Sequence, residues 1–555
     1  MKYFALSCAC LVAVASLAPS KNRDDGLIGH WPLAEDCRDQ SGHARHGENH
    51  GVEFDAAGSD TRSARFNGRD AFIAVPADRA PRLGSGDFAI AVWVRADERG
   101  DDVPGDLLSQ FDPDRRRGFS LRISQNAVTT AQANHRNVHF GIDNGRLERT
   151  WTDHGRPGNA VKVFALTVFD GSLFATTCEP ARDAAGHVFR FGGAERWIDC
   201  GSPDRSNAIT SLAVYRGQLY AGSSKYRLGG SALPESENEH RGGRVFRYSD
   251  GEKWEPCGEL PETEAIGGLV VFRDRLYASS LYRPAGFFRY ESGTNWTPLE
   301  TPGGKRVEAM CVFNGQLFAS SYDEAHVFRF DGTTWADCGQ VGGADNTQTY
   351  SFAVHEGKLF VGTWRSGRVF RYDGDDRWSD VGQLGDELEV MGMMVHNGKL
   401  FAGTLPSAGV FRFDGAGRWT DVGRVDQTPD VKYRRAWSMA EFQGRLFCGT
   451  LPSGHVLSIE AGKNVTHDRE LAPGWRHLTA VRDTGRLKLF IDGKLVARSV
   501  EFERADYDLT NDQPLKIGFG PNDFFNGRLR DLQIYSRPLA DGEISKLATR
   551  PETPR

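Results

Sequence analysis

Short segments in which hydrophobic and polar residues alternate recur along most of the chain, and glycine-rich turns separate them. The stretch VFDGSLFATT at 168–177 is typical, with alternating residues on both sides of an Asp-Gly turn. Alternation with a period of two predicts strands, and a two-residue turn containing glycine predicts a hairpin. Long amphipathic helical patterns are nearly absent, so the pattern predicts an all-β protein.

This hairpin is copied seven times, with clear relatives such as VYRGQLYAGS at 214–223, VHNGKLFAGT at 395–404 and EFQGRLFCGT at 441–450. The central leucines of successive copies are 41 to 57 residues apart. A copy then continues into a strand such as GRVFRYDG (367–374) and a last strand that begins with tryptophan, as in RWSDVG (377–382). Four strands with this period are typical of one blade of a β-propeller.

The first and last copies are incomplete in complementary ways. The last copy ends at GHVLSIEAG (454–462) without a tryptophan strand, whereas TWTDHG (150–155) supplies such a strand before the first copy. Pairing of this early strand with the last copy would close a ring and remove two free sheet edges. We therefore predict a seven-bladed propeller over residues 146–462, closed through the segment around Trp151.

The segments on either side of the repeats share a different set of motifs. They include D-x-S-G at 39–42, FNGRD at 66–70, WRHL at 475–478 and IDG at 491–493. Together these segments resemble the two halves of a laminin-G-like, concanavalin-type jelly roll. The resemblance implies a sandwich built from residues 26–145 and 463–548, with the propeller inserted between them and a tail at 549–555. Such an insertion is tolerated where the ends of the inserted domain meet.

The repeats themselves resemble the Kelch-like, galactose-oxidase-type propellers, although LFAGT at 400–404 stands where Kelch strands carry a double glycine. Bacterial sialidases also combine propellers with laminin-G-like sandwiches. Their Asp-box turn is partly matched by FDGTTW at 330–335, but with different spacing. An Asp-Gly turn before a tryptophan strand also has a purely structural explanation, because glycine accepts positive φ.

Residues 1–18 predict a signal peptide, because one lysine precedes a short apolar run and then small residues. The alternatives are an uncleaved anchor or a buried strand; export without a membrane span is the preferred interpretation. The net charge of -6 provides no basic field for nucleic acid. The seven cysteines beyond this segment are widely spaced and odd in number, which is not typical of a disulfide framework.

The candidate ligand-binding residues are those at which the repeats differ most. These positions precede the hairpin glycine by nine or seven residues and begin the innermost strands, so they should surround one mouth of the propeller channel. The alternative is that solvent-facing loops simply diverge. The candidates are Lys162, Arg306, Glu308, Gln348, Tyr350, Glu389, Arg435 and Trp437.

Their side chains suit a sugar, because aromatic rings stack on sugar faces while charged groups bind hydroxyl or acidic groups. If the site is hydrolytic, Glu308 and Glu389 are the first carboxylates to test. The insertion at 224–243 is a candidate lid or partner contact, with a plain surface loop as the alternative. The jelly-roll resemblance also implies calcium, with Asp39 and Asp70 as oxygen ligands, although both have ordinary turn roles.

Two functions remain open at this point. The first is an exported recognition protein that binds carbohydrate, or an extracellular or cell-envelope partner, through the jelly roll and the propeller mouth. The alternative is a polysaccharide-active enzyme, sialidase-like or lyase-like, with the propeller as its catalytic domain. No cofactor beyond the possible calcium is implied, and neither nucleic acid nor a particular oligomeric state is predicted.

Overall fold

The computed structural model describes residues 26–55, 62–100 and 102–549. The predicted all-β class is confirmed: strands dominate the described residues, and they hold one α-helix, Asp541–Ala548. Short 3₁₀ turns occur at Leu228–Ser231, Pro302–Gly304 and Arg504–Asp506. The predicted signal peptide, 1–18, lies outside the described residues, as does the tail beyond 549.

Two antiparallel sheets, here called the sandwich, are built from both ends of the chain. The first sheet contains, in pairing order, Glu53–Phe54, Ala64–Asn67, Asn526–Tyr535, Phe88–Ala96, Arg476–Asp483, Arg486–Ile491 and Lys494–Arg498, with Leu27–Trp31 also paired to Asn526–Tyr535. The second contains Glu48–His50, Phe72–Val75, Leu515–Ile517, Gly105–Asp112, Arg117–Val128, Ala131–Asn144 and Lys463–His467. Their facing apolar side chains form one core, as expected for packed sheets with alternating residues.

Between these segments, the described chain forms seven units of four antiparallel strands, here called the ring. Units 1 to 3 are Lys162–Phe169, Ser172–Cys178, Val188–Phe191 and Trp197–Asp199; Ala208–Tyr215, Gln218–Ser224, Arg244–Asp250 and Lys253–Glu259; and Ile266–Phe272, Arg275–Ser280, Phe287–Ser292 and Asn295–Leu299. Units 4 and 5 are Val307–Phe313, Gln316–Ser321, His326–Phe330 and Trp335–Gln340; and Gln348–His355, Lys358–Trp364, Arg368–Tyr372 and Trp378–Gln383. Units 6 and 7 are Glu389–His396, Lys399–Leu405, Gly409–Phe413 and Trp419–Arg424; and Arg435–Phe442, Arg445–Leu451, Val456–Ile459 and the early strand Thr152–Asp153.

The predicted closure by an early strand is confirmed. Thr152 pairs with Ser458 and Asp153 with Leu457, so the early strand completes the unit that the chain finishes last. The first strand of each unit contacts the first strand of the next, and the first strand of unit 7 contacts that of unit 1. The units therefore form a closed ring, and the faces of adjacent units pack against each other through buried apolar side chains.

A hairpin of the sandwich enters one end of the channel that runs through the ring. Its strands, Arg117–Val128 and Ala131–Asn144, are unusually long, and their tip reaches the innermost strands. At the tip, the Thr130 hydroxyl donates to the Thr210 carbonyl at 2.6 Å, and the Thr129 amide donates to the Ser351 hydroxyl at 3.3 Å. We call residues 117–144 the hairpin plug, because they occupy the end of the channel nearest the sandwich.

The small residues of the innermost strands have two neighbours to accommodate. Crowding between the innermost strands is one reason for these small residues. A Cβ at Gly392 would lie 2.4 Å from the Trp437 carbonyl oxygen of the next unit. The same Cβ would lie 3.2 Å from the Val128 side chain of the hairpin plug. Both distances are too short for a relaxed contact, so small residues make room for the plug as well as for the adjacent unit.

Glu441 of unit 7 joins the ring to the sandwich. This fully buried carboxylate accepts bonds from Arg122 of the plug, at 2.5 and 2.6 Å, and lies 2.5 Å from the His396 Nδ1 of unit 6. Asn464, on the strand that returns to the sandwich, donates to it at 3.2 Å. Interaction with the Arg122 charge and with the histidines holds the pKa of Glu441 well below its ordinary value, despite burial. A buried charged pair of this kind fixes the position of the plug.

Candidate functional site

The predicted site residues lie at the end of the channel away from the hairpin plug. Most of them begin the first strands of units 1, 4, 5, 6 and 7, as the repeat register predicts. The structure differs from the expected solvent-facing mouth, because most of these side chains are buried. The buried residues are Lys162, Glu308, Tyr350, Glu389, Arg435 and Trp437, while Arg306 and Gln348 are partly exposed.

The insertion at 224–243, here called the capping segment, explains this burial. Its Leu228 packs into an apolar cluster with Phe164, Tyr350 and Trp437. The side chain of Arg435 donates to the Ser231 hydroxyl at 2.7 Å and to the Gly230 carbonyl at 3.4 Å. The segment therefore covers the channel on the side opposite the plug, in the position that the lid interpretation predicts.

Lys162 is surrounded by aromatic rings. Its Nζ lies 3.4 Å from the centre of the Trp437 ring, 3.9 Å from that of Phe164 and 4.6 Å from that of Tyr226. The amine also donates to the Tyr226 hydroxyl at 3.3 Å. Burial and the neighbouring charge of Arg435 lower the pKa of Lys162 well below its ordinary value. The ring faces oppose this loss by stabilising the ammonium form.

The two candidate carboxylates, Glu308 and Glu389, are both buried and both interact with the charges of Lys162 and Arg435. Burial and the charge of Glu389 together raise the pKa of Glu308 to about 8, against the lowering effect of the Lys162, Arg306 and Arg435 charges. Burial also raises the pKa of Glu389, against the charges of Arg435 and Lys162. At neutral pH a proton is therefore favoured on Glu308, which makes it a hydrogen-bond donor and acceptor rather than a simple anion.

The two remaining polar candidates lie at the edge of this cluster. Arg306 forms an ion pair with Asp323 at 2.8 Å, and that pair lowers the pKa of Asp323 to about 2 against the effect of burial. Gln348 accepts a hydrogen bond of 2.5 Å from the Tyr350 hydroxyl. Arg306 is therefore engaged by an acidic partner, whereas Gln348 orients the Tyr350 ring beneath the capping segment.

The capping segment supplies site residues that the repeat pattern does not predict. Tyr226 and Ser231 are buried and bonded to each other at 2.9 Å, and both bond to the cluster. Repeat comparison could not find them, because an insertion has no counterpart in the other units. The available signal was the run KYRLGG at 225–230, which places an aromatic residue, a leucine and flexible glycines in an otherwise polar loop.

The two aspartates assigned to calcium do not come together with other ligands. The Asp39 carboxylate accepts four hydrogen bonds: from the amides of His30, Ser41 and Arg45, and from the Ser41 hydroxyl, each at 2.9 Å. Asp70 accepts one from the Asn67 side chain at 2.7 Å. No group of three or more metal-ligating side chains occurs among the described residues. Asp39 thus organises a turn, and its donor-saturated oxygens do not fit a calcium ligand.

Comparison with known families gives one match, at the end of the chain. Residues 444–545 match the family described as the concanavalin A-like lectin/glucanases superfamily. The start of this match, 444–462, lies in unit 7, and the remainder lies in the sandwich. A search of curated proteins finds no match. In addition, no helix in the described part of the chain is long and apolar enough to cross a membrane.

Solved structures with a similar fold are β-propeller proteins. Virginiamycin B lyase from Staphylococcus aureus is 8% identical, with a TM-score of 0.44, and the match covers 57% of this chain and 99% of that chain. A streptogramin B lyase is 9% identical, with a TM-score of 0.45 and coverage of 56% and 96%. BamB from Moraxella catarrhalis is 9% identical, with a TM-score of 0.36 and coverage of 66% and 96%. The described part of the chain is all-β, and the C-terminal residues 444–545 are similar to concanavalin A-like domains.

Proposed function

We propose that the protein is exported and serves in recognition, binding carbohydrate or an extracellular or cell-envelope partner through the sandwich and the adjoining ring. In this proposal residues 1–18 are a signal peptide, residues 26–145 and 463–548 form a laminin-G-like jelly roll, and residues 146–462 form a seven-bladed, Kelch-like propeller. The concanavalin A-like match supports an extracellular binding context. The residues of the sandwich surface support a partner that carries negative charge.

A row of three arginines on the sandwich is the observation that carries this proposal. Arg65 lies directly opposite Arg528, and Arg528 lies directly opposite Arg95, on three adjacent strands. The side chains of Arg65 and Arg95 are 54% and 50% exposed. Like charges in directly opposite positions destabilise a sheet. A surface that retains them gains from an anionic partner, because guanidinium groups bind carboxylate, sulfate or phosphate with paired hydrogen bonds.

The arginine row borders an open cleft between the sandwich and the ring. The cleft has a volume of about 740 Å³, and its lining also includes Asn67 and Arg69 of the sandwich and Gly315 of unit 4. Each arginine of the row already has an acidic neighbour: Asp55 forms an ion pair with Arg528, Glu53 lies 3.7 Å from Arg65, and Glu98 lies 3.7 Å from Arg95. The two exposed pairs at 3.7 Å are weak, so a multivalent acidic partner can replace them, whereas the Arg528–Asp55 pair holds the centre of the row in place.

An array of neutral and acidic glycans, run together with extracellular and envelope proteins, tests this proposal. We expect saturable binding without product release, stronger for acidic ligands and weakened in Arg95→Gln and Arg528→Gln. Arg486→Gln is the matched control, because Arg486 is an exposed arginine of the same sheet that pairs with Glu501 at 2.7 Å. Absence of binding to every glycan and protein, or an equal loss in the control, would contradict the proposal.

A second candidate is a polysaccharide-active enzyme that uses the ring centre. The raised pKa of Glu308, about 8, together with the nearby Glu389, is the observation that favours it, because perturbed carboxylates are common at catalytic sites. A glycoside hydrolase or lyase assay on polysaccharides should then show turnover that Glu308→Gln and Glu389→Gln abolish. Absence of turnover in the unaltered protein, or full turnover in both variants, rejects this candidate.

A further inference from the structure

Three polar atoms at the centre of the ring have no hydrogen-bond partner among the described residues. They are Glu308 Oε2, Arg435 Nε and Trp437 Nε1, and all three are buried. The residues themselves are 1%, 7% and 3% exposed. Buried polar atoms nearly always have a partner, and leaving one unpaired is costly. These atoms therefore indicate a group that does not belong to the chain.

The chemistry of the three atoms restricts what that group can be. Arg435 Nε and Trp437 Nε1 are donors, whereas Glu308 Oε2 accepts a hydrogen bond from a hydroxyl or donates its own proton. The two cations of the cluster, Lys162 and Arg435, act unfavourably on each other, since the charge of Arg435 lowers the pKa of Lys162. Burial meanwhile disfavours negative charge on Glu308 and Glu389. An incoming anion would relieve the repulsion between the two cations.

The size of the group is limited by what closes the channel. The hairpin plug occupies one end, where Thr130 bonds to the Thr210 backbone. The capping segment occupies the other end, where Ser231 and Leu228 pack against Arg435 and the aromatic cluster. A polymer cannot pass through a channel that is closed on both sides. In this closed state the enclosed groups are within reach of a small molecule only, and the polysaccharide-active candidate above would require displacement of the whole capping segment.

We propose that this cluster binds a small hydroxylated carboxylate, such as a sugar acid, which enters when the capping segment lifts. The carboxylate of the ligand accepts from Arg435 and Trp437, and a ligand hydroxyl bonds to Glu308. This site goes beyond the recognition function proposed above, because the arginine row lies on the sandwich and shares no residue with it. Lys162, held among aromatic rings beside this group, gains positive charge when the anion binds, because the negative charge of the ligand favours its ammonium form.

The capping segment resembles a lid, because hydrogen bonds anchor both of its ends and glycines lie exposed at its tip. At its start, Tyr226 and Asn207 exchange two hydrogen bonds, of 2.7 and 2.9 Å. At its end, the Asn238 side chain donates to the carbonyls of Ala184 and Arg205 at 2.7 and 2.9 Å. Between these anchors, Gly229 and Gly230 are exposed at the tip. For the tip to lift while the two anchors hold, the packing of Leu228 and the bonds from Arg435 to Ser231 and Gly230 have to break.

Isothermal titration calorimetry of the full chain tests the site with gluconate and glucuronate, and with sorbitol and glucose as uncharged counterparts. We expect saturable binding of at least one acid and at least about 10-fold weaker binding of its counterpart, because the charge-assisted bonds are lost. Trp437→Phe and Glu308→Leu should each weaken binding of the acid by about 5- to 20-fold, the effect of one hydrogen bond.

Trp335→Phe is the matched control, because it deletes an indole N–H that does have a partner. Trp335 Nε1 donates to the Glu300 carbonyl at 3.0 Å on the outside of the ring. Trp335→Phe should therefore lower the thermal midpoint and leave the affinity for the acid unchanged. Trp437→Phe should weaken binding of the acid, because it removes the indole donor that has no protein partner. Its smaller ring beside Lys162 also lowers stability, which the thermal midpoint measures separately.

The outcomes separate this inference from the recognition function. Absence of binding for both acids, equal binding of acid and uncharged counterpart, or an unchanged affinity in Trp437→Phe and Glu308→Leu overturns the inference. None of these results affects binding at the arginine row, which the glycan array measures with Arg95→Gln and Arg528→Gln. Conversely, binding of a sugar acid that is insensitive to those two arginine substitutions supports the enclosed site whatever the array shows.

Discussion

The indole Nε1 of Trp151 donates a hydrogen bond of 3.0 Å to the carbonyl oxygen of Val422. Val422 lies in the last strand of unit 6, whereas Trp151 immediately precedes the early strand that completes unit 7. A bond of the same kind joins each of the six remaining pairs of adjacent units. In each pair, an indole donates to a carbonyl of the preceding unit. The other six donors and acceptors are Trp197 and His154, Trp254 and Cys200, Trp296 and Cys257, Trp335 and Glu300, Trp378 and Cys338, and Trp419 and Val381.

Replacement of Trp151 by phenylalanine should destabilise the ring as much as the same change inside it. The substitution keeps an aromatic wedge but removes one hydrogen bond, so we expect a loss of about 1 kcal/mol in the free energy of unfolding. Urea denaturation followed by fluorescence and circular dichroism measures it. Trp419→Phe is the internal reference, and a loss in Trp419→Phe without a loss in Trp151→Phe would show that closure contributes no stability.

Glu441→Gln should destabilise the protein strongly through the contact between ring and sandwich. The glutamine keeps the shape of the side chain but leaves Arg122 buried without its counter-charge, which typically costs about 3–5 kcal/mol. Chemical denaturation gives this value. The control is Glu255→Gln, which breaks the exposed pair with Arg247 and should cost no more than about 1 kcal/mol. Similar losses in the two variants would contradict the role assigned to Glu441.

His139 makes the protein sensitive to acid. It is fully buried in the hairpin plug, and burial lowers its pKa from 6.5 to about 3. Between these values the unfolded chain takes up a proton that the folded chain does not, so stability falls as the pH falls from about 6.5 toward 3. The slope for one such proton is about 1.4 kcal/mol per pH unit.

His139→Gln should therefore reduce the loss of stability between pH 6 and pH 4, whatever its effect at neutral pH. Denaturation curves at several pH values, compared between this variant and the unaltered protein, measure the difference in slope. His43→Gln serves as the control, because His43 is exposed. If the slopes of the His139 variant and the unaltered protein agree, the histidine is not held neutral by burial.

Asn238→Ala should loosen the capping segment without unfolding the ring. The change removes two hydrogen bonds from the anchor at the end of the segment, to Ala184 and Arg205. We expect trypsin to cleave after Arg227 or Arg241 several times faster, while the thermal midpoint of the protein changes little. Ser236→Ala removes the bond to the Pro180 carbonyl and the bond from the Asn238 amide but leaves the Asn238 side-chain anchor in place, so it should have a smaller effect. Equal cleavage rates in all three proteins would show that Asn238 does not hold the segment.

The sequence by itself determined the strands, the repeated units and the way the ring closes, because these depend on local alternation and on the position of one tryptophan. Residues at 162, 308, 350, 389, 435 and 437 could be assigned to one end of the channel, since equivalent positions in a repeat have equivalent places in a ring. Sequence also located the sandwich on both sides of the ring, through turns and strands that carry their own motifs.

Only the tertiary structure decided whether that end of the channel is open or closed. The covering residues, Tyr226, Leu228 and Ser231, belong to an insertion whose path depends on contacts with several distant units. In the same way, the plug at the other end and its bond to Glu441 join segments more than 300 residues apart. Local patterns indicate which side of each strand is buried. They do not show which distant side chains will lie close together in the same buried, low-dielectric site. The proximity of those side chains sets the charges and pKa values of the site.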